Sequence, residues 1–208
     1  TAALGAAAVV AACSPQKATP QPAASAAKAP SPTPKEAAYL AVARGNDAEA
    51  VTMRAIAAIG GIERFVKQGY NVIVKPNICN AYNGPEYAST TNPWVVGALV
   101  KLCFEAGAGK VQVMDSPFGG TAASAYVNSG IAEQVEANGG EMVQMSSFKF
   151  KEVTIENALS LNKVEIYEDV FKADTLINVP IAKNHGIATL TLGMKNLMGL
   201  ITRREAIH

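Results

Sequence analysis

The chain has 208 residues, and its 18 Lys and Arg side chains nearly balance its 17 Asp and Glu side chains. This balance excludes the basic excess typical of nucleic-acid-binding domains, so we expect no nucleic-acid partner. The 49% hydrophobic content excludes a disordered chain, and no apolar run reaches the roughly 18 residues that a membrane-spanning helix needs. The three scattered cysteines predict neither a disulfide framework nor a metal site.

The N-terminal residues 1–13 predict the end of a secretory signal peptide. Residues 1–12 are apolar and uncharged and end in Val-Ala-Ala directly before Cys13. This order resembles a bacterial lipoprotein box, in which the cysteine is lipidated and becomes the mature N-terminus. We therefore expect a lipid on Cys13 and an exported, periplasmic or cell-surface protein held at a membrane through that anchor. The alternative is an Ala-rich disordered tail with an accidental cysteine.

Residues 14–36 predict a disordered linker. Six of the 11 prolines lie in this stretch, which is otherwise rich in Ala, Ser, Thr, Gln and Lys and has no aromatic residue. Such a composition buries too little apolar surface to offset the entropy of ordering the chain. The linker would tether the rest of the chain, residues 37–208, to the anchor.

Residues 37–208 alternate between strand and helix patterns. Strands are predicted at residues 39–43, 70–74, 111–114, 142–145 and 175–179. Helices are predicted from Asp47, from Asn92-Pro93, from Thr121 and over residues 187–200, and the alternation in residues 148–167 predicts an antiparallel pair. The pattern predicts a three-layer α/β fold, with a mostly parallel sheet flanked by helices and a small antiparallel addition.

Polar side chains follow the predicted strands directly. Lys75 and Asn77 follow one strand, Asp115 follows the next, and Lys183 and His185 come after the last. Because ligands of open α/β sheets bind beyond the carboxyl ends of the strands, we expect these groups to share one crevice. Asp115, His185 and Lys183 are the predicted catalytic residues, with Asp115 and His185 as acid/base candidates.

The remaining site predictions concern ligand binding. Thr90 and Thr91 precede the helix start at Asn92-Pro93, where free amide groups attract anions. Lys195 and Asn196 lie in an apolar stretch, where an ammonium needs a carboxylate such as Asp115 or a bound anion. Together with Lys75 and Asn77, these residues predict a site for an anionic small molecule or cofactor. The alternatives are that the lysines are solvated at the surface, that the threonines only cap the helix, and that His185 has a structural role.

The order of these motifs resembles a known family. The segments carrying the resemblance are Val-Ile-Val-Lys75-Pro-Asn77, Ser89-Thr-Thr-Asn-Pro-Trp94, Asp115-Ser-Pro117, Ile177-Asn-Val-Pro180 with Lys183 and His185, and Met194-Lys-Asn-Leu-Met-Gly199. The set is similar to the bacterial and archaeal family called domain of unknown function 362. The resemblance implies that some members are fused to ferredoxin-type iron–sulfur modules, that many are exported, and that the domain continues beyond residue 208.

The sequence is consistent with three functions. The first is an exported domain that binds an anionic small molecule or cofactor, as a redox-linked enzyme. The second is a solute-binding lipoprotein. The third is an accessory protein that docks an iron–sulfur partner, although this chain has no clustered Cys motif of its own. The residues do not identify the cofactor or the reaction, because no nucleophile–base pair is recognisable.

Overall fold

The computed structural model describes residues 38–204 and residue 207, which belong to a compact unit spanning Ala37–His208. The predictions for Cys13 and the linker lie outside the described residues. Five α-helices are present in the described part: α1 (Ala48–Ala58), α2 (Pro93–Glu105), α3 (Ala122–Asn128), α4 (Ile131–Ala137) and α5 (Gly193–Leu197). No helix there has the length and apolar character needed to cross a membrane.

The central sheet has four parallel strands in the order β3 (Glu141–Met142), β2 (Lys110–Val113), β1 (Asn71–Pro76) and β6 (Thr175–Val179). Two antiparallel hairpins accompany it, β4 (Phe150–Thr154) with β5 (Lys163–Tyr167), and β7 (Lys183–His185) with β8 (Thr189–Thr191). The parallel sheet with flanking helices and a small antiparallel addition confirms the predicted α/β class.

The alternation of side chains along β1 explains how both faces of the sheet are covered. Val72 and Val74 belong to the larger core cluster, which includes residues of α2, α3 and α4. Ile73 points to the opposite face and packs in a second cluster with Met114, Tyr167 and Leu200. Because β1 is central and buried on both sides, the loop that follows it is held firmly at the carboxyl edge.

Local signals locate the helix starts correctly. Asp47, Asn92 and Thr121 are the N-caps of α1, α2 and α3, and each side chain accepts a hydrogen bond from a backbone amide of the first turn. The predicted third helix is divided into α3 and α4 at Gly130, where φ is +71°. A left-handed residue at this position interrupts the helix.

Two predicted elements were wrong. Residues 39–43 form no strand, and Tyr39, Leu40 and Val42 are at least 78% exposed. Residues 187–200 do not form one buried helix, because β8 occupies Thr189–Thr191 and only the five-residue α5 follows. Apolar residues at mixed spacing fit a short strand followed by a turn of helix equally well, since periodicity over so few residues does not distinguish the two.

Candidate functional site

A pocket of about 420 Å³ lies at the carboxyl edge of the sheet, and we call it the strand-end pocket. Its walls are formed by the loops after β1 and β2, by the β7–β8 hairpin and by the segment from α5 to residue 204. Its size is within the range of small-molecule sites. Six residues of the predicted site line it: Asn77, Asp115, Lys183, His185, Lys195 and Asn196.

Asp115 follows β2 and is buried, with only 3% of its surface exposed. Its Oδ1 accepts from the Lys75 ammonium at 2.8 Å and from the Ser116 amide at 2.8 Å, and its Oδ2 accepts from the Ile78 amide at 2.6 Å. The Tyr126 hydroxyl also donates to the Asp115 carbonyl at 2.5 Å, which holds the backbone at the end of β2.

Lys75 lies behind the pocket wall rather than in it. It is fully buried, and its Nζ donates to Asp115 Oδ1 at 2.8 Å, to the Pro76 carbonyl at 2.6 Å and to Asn196 Oδ1 at 3.2 Å. These three partners use all the hydrogen-bond donors of an ammonium group. Burial lowers the pKa of Lys75, against the attraction of Asp115. In this arrangement Lys75 neutralises Asp115, whereas we expected it to contact the ligand.

Asn196 connects α5 to the central strands. Its Nδ2 donates to the Lys75 carbonyl at 3.0 Å and to Asn178 Oδ1 at 2.7 Å, and Asn178 in turn donates to the Gly193 carbonyl at 2.9 Å. Asn196 is only 2% exposed. This network explains why an amide occurs in an apolar stretch, because every donor of the buried side chain has a partner. It also fixes the backbone beside Lys195.

Thr90 and Thr91 are buried, at 2% and 4% exposure, and neither lines the pocket. The Thr91 hydroxyl accepts from the Asn77 amide at 2.8 Å and donates to the Val179 carbonyl at 2.7 Å. The Thr90 hydroxyl accepts from the Cys79 amide at 3.2 Å. Both hydroxyls therefore bind the backbone of the loop after β1, and Thr91 also connects this loop to β6.

His185 lines the pocket from the β7–β8 hairpin. Its Nδ1 accepts from the amides of Ile187 and Ala188, at 3.2 and 3.1 Å. These two bonds fix the orientation of the ring beside the pocket.

Among the described residues, three cationic side chains line the strand-end pocket: Lys183, Lys195 and Arg204. Lys183 donates to the Ser89 carbonyl. Arg204 donates from Nη1 to the Ser116 carbonyl and from Nη2 to the Ser116 hydroxyl, both at 2.9 Å. Burial, with repulsion from Arg204 and Lys183, lowers the pKa of Lys195. Asp115 is the only carboxylate among the described lining residues, and it is already paired with Lys75.

Arg204, Ser116 and Thr191 also line the pocket, although they were not predicted from the sequence as site residues. Arg204 follows no strand of the sheet, so the strand-end rule gives no signal for it. Thr191 is 3% exposed, and its hydroxyl has no hydrogen-bond partner among the described residues; the same holds for the buried Oδ1 of Asn77. Such orphaned polar atoms are uncommon in folded proteins.

The cysteines differ in their surroundings. Cys79 is partly buried and lines the pocket, whereas Cys103 lies on α2 and is fully buried in the core, where burial raises its thiol pKa to about 12. No group of three or more His, Cys, Asp or Glu side chains within the described residues is arranged to hold a metal ion.

The sequence of the chain is similar to that of a known relative and matches the model of a known family. The "Thylakoid-associated protein sll1697" of Synechocystis sp. (strain PCC 6803) is 34% identical to this chain over 143 residues, which are 69% of the chain and 43% of that protein's length. The chain thus spans less than half of this relative. No solved structure shows significant similarity to the chain. The model of the family described as "Domain of unknown function (DUF362)" matches residues 72–208, and the chain belongs to this family.

Proposed function

We propose that the strand-end pocket binds an anionic small molecule or cofactor through Lys183, Lys195 and Arg204. The supporting observation is the charge of the described lining: three cations line the pocket, and the one carboxylate among those described residues, Asp115, is neutralised by Lys75. Positive groups that surround one concave, partly desolvated site attract a carboxylate or phosphate more strongly than the same groups on an open surface. Asp115 and His185 would be the acid/base groups beside the bound ligand.

Inorganic phosphate is a suitable probe of this proposal. At constant ionic strength, phosphate should raise the unfolding temperature of the full chain, because a ligand that binds only the folded state stabilises it. The shift should shrink in Lys183→Met and in Arg204→Met. Lys110→Met is the matched control, since Lys110 is at the opposite end of β2, half exposed and paired with Glu141. Equal shifts in all four proteins would contradict the proposal.

The identity of the ligand requires a separate measurement. Native mass spectrometry of the purified chain should detect a small molecule that co-purifies with the wild-type protein and is lost from Arg204→Met. Turnover of that molecule would distinguish a redox-linked enzyme from a solute-binding lipoprotein. Iron in the preparation would instead support an accessory protein that docks an iron–sulfur partner.

We also propose that the protein is exported and associates with a membrane through a lipid on Cys13. The support is the apolar residues 1–12 directly before Cys13 and the thylakoid association in the name of the relative. Dual or triple acylation gives stable anchoring without a spanning helix. Cys13→Ser expressed with the complete natural leader should move the protein from the membrane fraction to the soluble fraction, and Cys79→Ser should not. Membrane association that persists in Cys13→Ser would contradict this proposal.

A further inference from the structure

The lysines near the strand-end pocket differ in how their amines are bound. Lys75 has three hydrogen-bond acceptors and lies behind the wall. Lys183 donates to the Ser89 carbonyl. For Lys195 the structure records no hydrogen bond and no ion pair with any described residue, although it lines the pocket. Lys195 is therefore the amine best placed to react with a bound molecule.

Several features of its surroundings favour the neutral form of that amine. The Lys195 side chain is partly buried, and Arg204 and Lys183 lie close enough to oppose a further positive charge. Asp115, the one carboxylate among the described lining residues, is paired with Lys75. Desolvation and neighbouring cations are the two conditions that make a lysine nucleophilic. The same cations would attract the carboxylate of an incoming molecule.

The position of Lys195 is also held firmly. Its neighbour Asn196 is buried and bonded to the Lys75 carbonyl and to Asn178. The backbone of α5 is thus tied to the ends of β1 and β6, so the Lys195 side chain starts from a fixed point at the pocket wall. Fixed positioning of a reactive group is a recurrent requirement of covalent catalysis.

We propose that Lys195 forms an imine with the carbonyl group of a small oxo acid held in the strand-end pocket. The neutral amine attacks the carbonyl carbon, and a proton moves from nitrogen to oxygen to give a carbinolamine. Loss of that oxygen as water then leaves the C=N bond, so one amine and one carbonyl give one imine and one water. No oxidant, reductant or metal is needed. Lys183 and Arg204 bind the carboxylate of the oxo acid during this step.

This inference rests on the proposed anion site and names its substrate class. The test uses pyruvate and sodium cyanoborohydride, which reduces an imine to a stable amine that peptide mass spectrometry can locate. Label from pyruvate should concentrate on Lys195 and be lost in Lys195→Arg. Lys110→Arg, which changes a half-exposed lysine at the far end of β2, should retain the label on Lys195.

Labelling of the wild-type protein by acetone and by pyruvate can be compared even if Lys195→Arg folds poorly. Acetone has the carbonyl of pyruvate without the carboxylate, so it should label Lys195 far less than pyruvate does, and phosphate should protect Lys195 from pyruvate. Label spread evenly over the surface lysines, or equal labelling by acetone, would overturn the imine proposal. If phosphate still stabilises the protein in that case, the anion site stands alone; if it does not, both proposals fail.

Discussion

Lys75 and Asp115 form a fully enclosed ion pair at the ends of adjacent parallel strands, with 2.8 Å between Nζ and Oδ1. Lys75 lies directly behind the strand-end pocket and Asp115 lies in its wall, with 0% and 3% of the two side chains exposed. Because each member has further hydrogen bonds to backbone or to Asn196, the charges are compensated without a ligand. The pair therefore leaves the pocket itself positive.

Removing one member of this pair should cost much of the stability. Lys75→Met leaves the Asp115 carboxylate buried without its counter-charge, and we expect the free energy of unfolding to fall by about 3–5 kcal/mol. The double variant Lys75→Met/Asp115→Asn leaves no buried charge and should lose less. Urea unfolding followed by circular dichroism measures both. A double variant that is less stable than Lys75→Met would contradict this explanation, because it would show that the uncompensated charge of Asp115 does not cause the loss of stability.

Gly199 packs directly against the same ion pair. A Cβ at this position would lie 1.8 Å from Asp115 Oδ1 and 2.9 Å from Lys75 Nζ, which is closer than any real contact. We expect Gly199→Ala to destabilise the fold by about 1–3 kcal/mol through overpacking. Gly193→Ala is the control, because its Cβ would meet only Asn178 Nδ2 at 3.5 Å. Thermal unfolding of the two variants compares them, and similar losses would contradict the close packing.

Thr91 and Thr191 provide a matched pair with nearly equal burial, at 4% and 3% exposure. Thr91→Val removes a hydroxyl with two backbone partners and leaves the partly buried backbone amide of Asn77 unpaired, so we expect a loss of about 1–3 kcal/mol. Thr191→Val removes a hydroxyl with no partner in the described structure and should leave the stability unchanged or raise it. Chemical denaturation of both variants tests this contrast. Equal losses would mean that the Thr191 hydroxyl is bonded in solution.

The charged neighbours of Lys195 should affect the pH at which its amine is labelled. Burial, Arg204 and Lys183 lower the Lys195 pKa, while Cys79 raises it; His185 and the paired Asp115 line the same pocket. Only the neutral amine attacks a carbonyl, and a lower pKa brings that form to lower pH. Lys183→Met removes one repelling charge, so the Lys195 pKa should rise.

The half-maximal pH for labelling by saturating pyruvate should therefore move upward in Lys183→Met. Lys110→Met, whose side chain pairs with Glu141 at the other end of β2, should leave the midpoint unchanged. The measurement is the extent of cyanoborohydride-trapped label across a pH series. A midpoint that stays fixed or falls in Lys183→Met would contradict the electrostatic coupling between the two lysines.

Local sequence was sufficient for most of the fold and part of the candidate site. The capping residues Asp47, Asn92 and Thr121 mark three helix starts because a side-chain cap acts within three residues along the chain. Apolar runs predicted β1, β2 and β6, and the strand-end rule then placed Asn77, Asp115 and Lys183 at one edge. These inferences need only short-range patterns and the parallel direction of the strands.

The roles of the individual side chains were decided by tertiary structure. Lys75 and Asn196 are bonded across 121 residues of chain, and Arg204 reaches Ser116 across 88. No local periodicity encodes which lysine becomes buried and paired and which faces the pocket. The sequence by itself determined an α/β sheet with polar groups at its carboxyl edge. Only long-range packing decided that Lys75 neutralises Asp115 while Lys195 faces the pocket, because burial and hydrogen-bond partners arise from residues distant in sequence.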